Sequence, residues 1–267
     1  MHHSESVDQR LEQAPVVTKF GRAVRPVAGV VAFYAGGSLA SNDFRPGISD
    51  LDLVAIIDRE LDEDRQVELQ ELHERTRRND AAAASLHCVY VPQDQVSDVS
   101  APHLTWAHGE LYPRLLSGIA RAELLRGGIT LWGPSPAELL PPVDRAALRA
   151  AARSELTGYW SGAVRKPWLW LEDVYVDLGL LTLARVEAVL TEDRLITKNE
   201  ALGRLHRFGV PPELVTQIAR RRQGQDTPLT RPQRLRRATR ARHICAAGIR
   251  ELIPQPRGHR SHGSRTS

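Results

Sequence analysis

The sequence predicts a protein in two parts, an α/β domain with a small mixed sheet followed by an all-α helical bundle. Short apolar, β-branched runs alternate with helical periodicity in the first half of the chain, whereas only helical periodicity follows in the second half. The adjacent residues Pro141 and Pro142 mark the change. We therefore predict one domain at residues 15–141 and a second, helical domain at residues 142–254.

The first domain alternates helices with strands that are bounded by glycine, proline and polar residues. Its predicted elements, in chain order, are a helix at 11–25, strands at 30–34 and 53–57, a helix at 62–79, a strand at 86–91, a helix at 108–126 and a strand at 129–132.

The second domain has the periodicity of about five helices, which is a normal content for a bundle. The segment at 174–191 has more apolar residues than one stripe requires, so we expect it to be a buried helix. The predicted helices are 144–160, 174–191, 198–208, 211–222 and 232–252.

The strongest chemical signal lies between the first two strands. Gly37 and Ser38 follow the strand at 30–34, and a strand–glycine–helix turn directs free backbone N–H groups towards a bound phosphate. Asp50 and Asp52 stand where the next strand begins, and residues two apart on a strand share a face. Two adjacent carboxylates repel each other unless a cation holds them, and oxygen ligands suit Mg²⁺ that arrives with nucleotide phosphates.

A glycine turn or an Asp-x-Asp pair alone is usually an ordinary turn or a solvated strand end. In this order, with strands on both sides, the stretch resembles the nucleotidyltransferase superfamily typified by DNA polymerase β. The second domain resembles aminoglycoside 3″/9-adenylyltransferases, because a Leu-Thr-Leu-Ala-Arg run ends at Arg185 and a turn and Lys198 follow at the family's spacing. The segment at 131–140 is similar to their inter-domain junction. The resemblance extends over roughly residues 30–252.

That resemblance implies an enzyme that transfers AMP from ATP to a hydroxyl of a small molecule such as an aminoglycoside, with Mg²⁺ and with release of pyrophosphate. It also implies a role in antibiotic resistance. The implied ATP-binding residues are Gly37, Ser38, Arg185 and Lys198, and the implied Mg²⁺ ligands are the catalytic residues Asp50 and Asp52.

The sequence departs from the family at the third catalytic carboxylate, which acts there as the base on the attacking hydroxyl. His87, on the predicted strand at 86–91, holds that position. Histidine can act as a general base near neutral pH, so we predict this role for His87, although a structural strand histidine is an equal alternative. Glu110 and Asp94 are the other carboxylates available for the role. Replacement of the third carboxylate by His87 is also compatible with an alternative function, that of a nucleotide-binding or regulatory module that has lost turnover.

The residues that would bind the acceptor also differ from the family pattern. Carboxylates and aromatic rings would suit a polycationic amino sugar, and we predict that Glu110, Tyr112, Asp173 and Asp177 supply them. A solvated helix face explains Asp173 and Asp177 equally well.

The composition, with 42% hydrophobic and 25% charged residues, is typical of a globular protein. No apolar run approaches the length of a membrane span, and the sequence does not start like a secretory signal. The two cysteines form no metal-binding or disulfide pattern. We expect a monomer in the cytoplasm, with no membrane partner.

Basic charge is concentrated at the C-terminal end. From residue 220 onwards there are thirteen arginines and two acidic residues, a local net charge of +11, so the rest of the chain carries −7 of the total +4. This distribution argues against a nucleic-acid partner, although modification of a protein or RNA partner is a further alternative. We expect disorder in the N-terminus (1–14) and in the basic tail (255–267).

Overall fold

A mixed sheet of six strands forms the N-terminal part of the protein in the computed structural model, which describes residues 6–225 and 227–253. The strands are β1 (Val30–Ala35), β2 (Leu51–Ile57), β3 (Leu86–Pro92), β4 (Pro102–Ala107), β5 (Glu110–Leu115) and β6 (Ile129–Trp132). Their order is β5-β4-β3-β2-β1-β6. β2 and β3 are parallel, and the other neighbouring pairs are antiparallel.

Helices cover both faces of this sheet. They are α1 (Val7–Glu12), α2 (Pro15–Ala28), α3 (Gly37–Ala40), α4 (Glu63–Asn79), α5 (Gly118–Gly127) and α6 (Pro136–Leu139). Phe20 of α2 and Leu69 of α4 are buried in one core, together with Phe33 of β1. Leu124 of α5 and residues near α6 are buried in a second core on the opposite face.

A helical bundle follows the sheet, which confirms the predicted fold class. Its helices are α7 (Arg145–Glu155), α8 (Ser161–Ala163), α9 (Asp173–Glu192), α10 (Lys198–Leu202), α11 (Pro212–Arg221) and α12 (Arg231–Leu252). Helix α9 is buried along most of its length and packs against α7, α10 and α12. The predicted buried helix at 174–191 is therefore confirmed.

Helix α5 joins the two parts. Ala122 is buried in the core of the helical bundle, whereas Leu124 is buried in the core beneath the sheet. Opposite sides of one helix thus pack against the sheet and the bundle, and α5 lies beside the space between them. The domain boundary predicted at residue 141 falls between α6 and α7.

The helix predicted at 108–126 is wrong in its first half, because β4 and β5 form a hairpin there. The turn residues His108 (φ 55°) and Gly109 (φ 89°) are both left-handed, which is the geometry of a tight hairpin turn. Leu111, Leu115 and Leu116 have helical spacing, but Pro113 would disrupt a helix interior and is tolerated on the edge strand β5. Only Gly118–Gly127 is helical.

The disorder predicted for residues 1–14 is wrong for residues 7–12, which form α1. Ser6 caps this helix, and Arg10 donates a hydrogen bond to the backbone carbonyl of Ala40. The predicted basic tail at 255–267 lies outside the described residues. In the described part of the chain, no helix is long and apolar enough to cross a membrane.

Candidate active site

A glycine turn after β1 brings α3 against the start of β2. The backbone N–H of Gly36 donates to the carbonyl of Asp52 at 2.8 Å, which attaches the turn to β2. Gly37 has a φ of +56°, and a Cβ atom at this position would lie 2.1 Å from Oδ2 of Asp52. Glycine is therefore required for this close approach, which places Ser38 beside the Asp52 carboxylate.

Asp50 and Asp52 lie together on the floor of a cleft of about 520 Å³. Burial raises the pKa of Asp52, and the charge of Asp50 raises it further, while His87, Lys198 and Arg114 lower it. The repulsion between the two carboxylates makes this end of β2 favourable for a cation.

The donor set fits Mg²⁺ that is bound together with a nucleotide. Within residues 6–225 and 227–253, no group of three or more His, Cys, Asp or Glu side chains is arranged to hold a metal ion. Mg²⁺ at nucleotide sites is usually bound through one or two carboxylates, with phosphate oxygens and water as the other ligands. Asp50 and Asp52 would supply those two carboxylates.

Arg185 and Lys198 line the same cleft from the helical bundle. Arg185 lies on α9, where its Nε donates to the carbonyl of Ile196 at 3.0 Å and its guanidinium forms an ion pair with Glu123. Lys198 is the first residue of α10, whose start is fixed by a capping box between Thr197 and Glu200. The cleft thus brings together six residues predicted from the sequence: Gly37, Ser38, Asp50, Asp52, Arg185 and Lys198.

Glu123 is a cleft residue that the sequence did not indicate. It lies on α5, burial raises the pKa of its carboxyl, and the adjacent Arg185 lowers it. A single glutamate on an amphipathic helix has no sequence signal of its own, because its partner lies 62 positions away.

Asp43 connects the turn before β2 to the bundle and was also missed. It is only 5% exposed, and its carboxylate accepts hydrogen bonds from the backbone N–H of Asn199 at 3.1 Å and from Arg222 at 2.8 Å. Since Asn199 follows Lys198 in α10, Asp43 holds the helix that carries Lys198 against the side of the cleft formed by Gly37 and Ser38.

His87 lies directly beside Asp52, because the two residues are paired across β2 and β3. Nδ1 of His87 is 4.0 Å from Oδ1 of Asp52, and its ring contacts the ring of His108 at a centroid distance of 4.8 Å. Burial lowers the pKa of His87, and Asp50 and Asp52 raise it. The imidazole is thus next to the proposed metal ligands, on the side away from Gly37.

Glu110 and Tyr112 lie on β5, on the same face of the sheet as Asp52. Paired residues share a face, and the pairs Val89↔Thr105 and Thr105↔Tyr112 continue this face from β3 to β5. Glu110, two residues before Tyr112, also points to this face. In the described part of the chain, neither Glu110 nor Tyr112 lines the cleft.

Asp173 and Asp177 are held in ion pairs within the bundle. Asp177 accepts two hydrogen bonds from Arg221, at 2.8 and 2.5 Å, and Asp173 forms an ion pair with Arg237. Neither of these two described carboxylates lines the cleft. Their charges neutralise arginines of α11 and α12.

Residues 17–97 match the family model of the nucleotidyltransferase domain, so this segment is similar to domains of that class. The matched segment includes the glycine turn, Asp50, Asp52 and His87.

Among solved structures, the chain is similar to spectinomycin adenyltransferase AAD(9) from Enterococcus faecialis, whose crystal structure was determined with ATP and spectinomycin. The two chains are 17% identical, the match covers 88% of this chain and 98% of the other, and the TM-score is 0.65. A search of curated proteins found no match. The structural similarity confirms, at the level of fold, the resemblance derived from the sequence.

Proposed function

We propose that this protein is a Mg²⁺-dependent nucleotidyltransferase that transfers AMP from ATP to a hydroxyl group of a small molecule and releases pyrophosphate. The observation that carries the proposal is the cleft between the sheet and the bundle. It collects a glycine turn, two carboxylates and two cationic side chains that are up to 161 positions apart in sequence, from Gly37 to Lys198.

The two walls of the cleft would hold the triphosphate from opposite sides. Gly37 and Ser38 would donate hydrogen bonds to phosphate oxygens, and Arg185 and Lys198 would provide positive charge from the bundle. Phosphates that enter the cleft compete with Glu123 for Arg185. Replacement of Glu123 by a phosphate as the partner of Arg185 would couple nucleotide binding to the positions of α5 and α9.

Asp50 and Asp52 would hold Mg²⁺, which neutralises charge on the phosphates when it is bound. The acceptor oxygen forms a bond to the α-phosphorus as the bond from that phosphorus to the bridging oxygen of pyrophosphate breaks. Pyrophosphate leaves with the electron pair of the broken bond. We propose His87 as the group that accepts the hydroxyl proton, because it lies next to Asp52 on the side away from the glycine turn.

The choice of ATP and of a small acceptor is supported by the complex of AAD(9) with ATP and spectinomycin. The aminoglycoside acceptor expected from the sequence stays a prediction. If the protein binds ATP but transfers no AMP, this result would instead favour the alternative of a regulatory module.

The proposal is tested by incubating the protein with each of the four NTPs, labelled at the α-phosphate, and with Mg²⁺ and a panel of hydroxylated acceptors that includes spectinomycin. We expect label transfer from ATP, formation of pyrophosphate, and loss of both in the Asp52→Asn variant. Failure of Mg·ATP to bind, or equal transfer by the Asp52→Asn variant, would contradict the proposal.

A further inference from the structure

The segment between α3 and β2, residues 41–50, links the two walls of the cleft, and the following inference about it rests on the proposed function. Ser38 lines the cleft from the sheet side, and Lys198 lines it from the bundle side, 160 positions further along the chain. Hydrogen bonds and ion pairs to a triphosphate weaken with distance. Both walls can therefore bind the same triphosphate only if the separation between them is fixed.

The backbone of Asp43 is attached to the sheet wall. Helix α3 is followed by Asn42, which has a left-handed conformation with a φ of 58°, and the backbone N–H of Asp43 then donates to the carbonyl of Ser38 at 2.9 Å. A left-handed residue followed by such a bond is a common way to end a helix, and asparagine adopts this conformation more readily than most residues. Asp43 is thus bonded to a residue that we propose to bind phosphate.

The side chain of Asp43 is attached to the bundle wall. The same oxygen, Oδ2, accepts hydrogen bonds from the backbone N–H of Asn199 and from the guanidinium of Arg222. Asn199 belongs to α10, and Arg222 lies at the end of α11. Because the carboxylate and the guanidinium are both largely buried, this ion pair is screened less by water than a surface pair. One residue therefore joins Ser38 to two elements of the bundle.

Lys198 depends on its helix for its position. In the described part of the chain, its ammonium group has no hydrogen bond or ion pair. The side chain is flexible, so the start of α10 determines where the ammonium group can reach. A helix of five residues is too short to be stable alone, and tertiary contacts must hold it in place. Helix α10 packs against α9 and α11, and Asp43 supplies a contact from the sheet wall.

We propose that Asp43 is a positioning residue for the nucleotide, because it holds Lys198 opposite Ser38 before the nucleotide binds. The carboxylate of Asp43 is paired with Arg222, and as an anion it would repel phosphates, so it acts through Lys198 and makes no contact with the triphosphate. A cleft that is preformed in this way binds its ligand more tightly, since less conformational freedom is lost on binding.

The test is a double-mutant cycle on the affinity of the full-length protein for α,β-methylene-ATP with Mg²⁺, measured by calorimetry below the melting temperature of every variant. Asp43→Ala removes both hydrogen bonds of the carboxylate, Lys198→Met removes the ammonium group, and the double variant combines them. The matched control is Asp177→Ala, which removes another largely buried carboxylate whose partner, Arg221, precedes Arg222. Both residues of that pair lie within the bundle, and the assay contains no acceptor.

We expect Asp43→Ala and Lys198→Met each to weaken binding about tenfold. The double variant should bind about as weakly as Lys198→Met alone, because effects within one network of contacts do not add. Asp177→Ala should retain the native affinity even where its melting temperature falls. A purely structural role of Asp43 would lower the melting temperature without this dependence on Lys198.

The outcomes separate this inference from the proposed function. A native protein that does not bind α,β-methylene-ATP contradicts the proposed function. If the native protein binds it, any of three results overturns the inference: native affinity in either single variant, an equal loss in Asp177→Ala, or a loss of about a hundredfold in the double variant. If Asp43→Ala does not fold, Asp43→Asn carries the same comparison. It keeps an acceptor oxygen but loses the charge, so we expect a loss of about threefold.

Discussion

The two sides of Asp52 differ in how closely their residues match those expected from the sequence. On the β1 side, Gly37 and Ser38 stand where the sequence places them, and Arg185 and Lys198 face them across the cleft. On the β3 side, a histidine replaces the expected carboxylate. Two of the acidic residues expected to bind the acceptor, Asp173 and Asp177, are paired with arginines within the bundle.

This difference follows from the chemistry of each side. Any nucleoside triphosphate presents the same phosphates, so the turn, the carboxylates and the cations that we propose to bind it would have little freedom to change. The acceptor side needs only to place one hydroxyl in line and to exclude other molecules. Its residues can therefore change with the acceptor while the fold and the nucleotide side stay the same.

The largest effect should come from the carboxylate shared by both sides. Asp52→Asn removes a proposed metal ligand whose charge would be used mainly in the transition state, so we expect turnover to fall about a thousandfold, or about 4 kcal/mol. Nucleotide binding should weaken much less. Steady-state kinetics and calorimetry measure the two effects. Glu60→Gln, an exposed site outside the cleft, is the control, and equal losses in binding and turnover would contradict the assignment.

His87 tests whether the acceptor side is catalytic. If it accepts the hydroxyl proton, His87→Ala should lower turnover about a hundredfold, which is typical of a lost general base. His87→Glu restores the carboxylate of the related family and should retain activity. Full activity of His87→Ala would make this histidine structural, and Glu110 would be the next residue to test. Transfer that is absent in the native protein and gained in His87→Glu would favour the regulatory module.

The buried ion pair between Asp43 and Arg222 should contribute measurably to the stability of the fold. Asp43→Asn leaves Arg222, which has a 12% exposed side chain, without its carboxylate, so we expect the free energy of unfolding to fall by about 2 kcal/mol. Glu213→Gln breaks the exposed pair between Glu213 and Arg240 and should cost less than about 0.5 kcal/mol. Urea denaturation compares the variants, and equal stability of both would show that Asp43 does not stabilise the contact between the sheet and the bundle.

A smaller effect is expected at the glycine turn. Gly37→Ala introduces a Cβ against Asp52 at a positive φ, so nucleotide affinity should fall about tenfold, or about 1.4 kcal/mol. Gly162→Ala is the matched control, because a Cβ at Gly162 meets nothing within 4 Å. Calorimetry that shows the same affinity for both variants would contradict the account of this turn.

The local parts of the fold, and the residues that line the β1 side of the cleft, could be predicted from the sequence. The glycine turn and the Asp-x-Asp pair combine chemistry and spacing within about fifteen residues. The hairpin at β4 and β5 was missed because the leucines of β5 also have helical spacing. Asp43 and Glu123 were missed because their partners Arg222 and Arg185 lie far away in sequence, and the fold alone brings them together.

A crystal structure with Mg²⁺ and α,β-methylene-ATP would test most directly whether one nucleotide is held between the sheet and the bundle. We predict a metal ion on Asp50 and Asp52, with phosphates in contact with Ser38 on one side and Lys198 on the other. A nucleotide bound outside this cleft, or with its phosphates away from either wall, would contradict it.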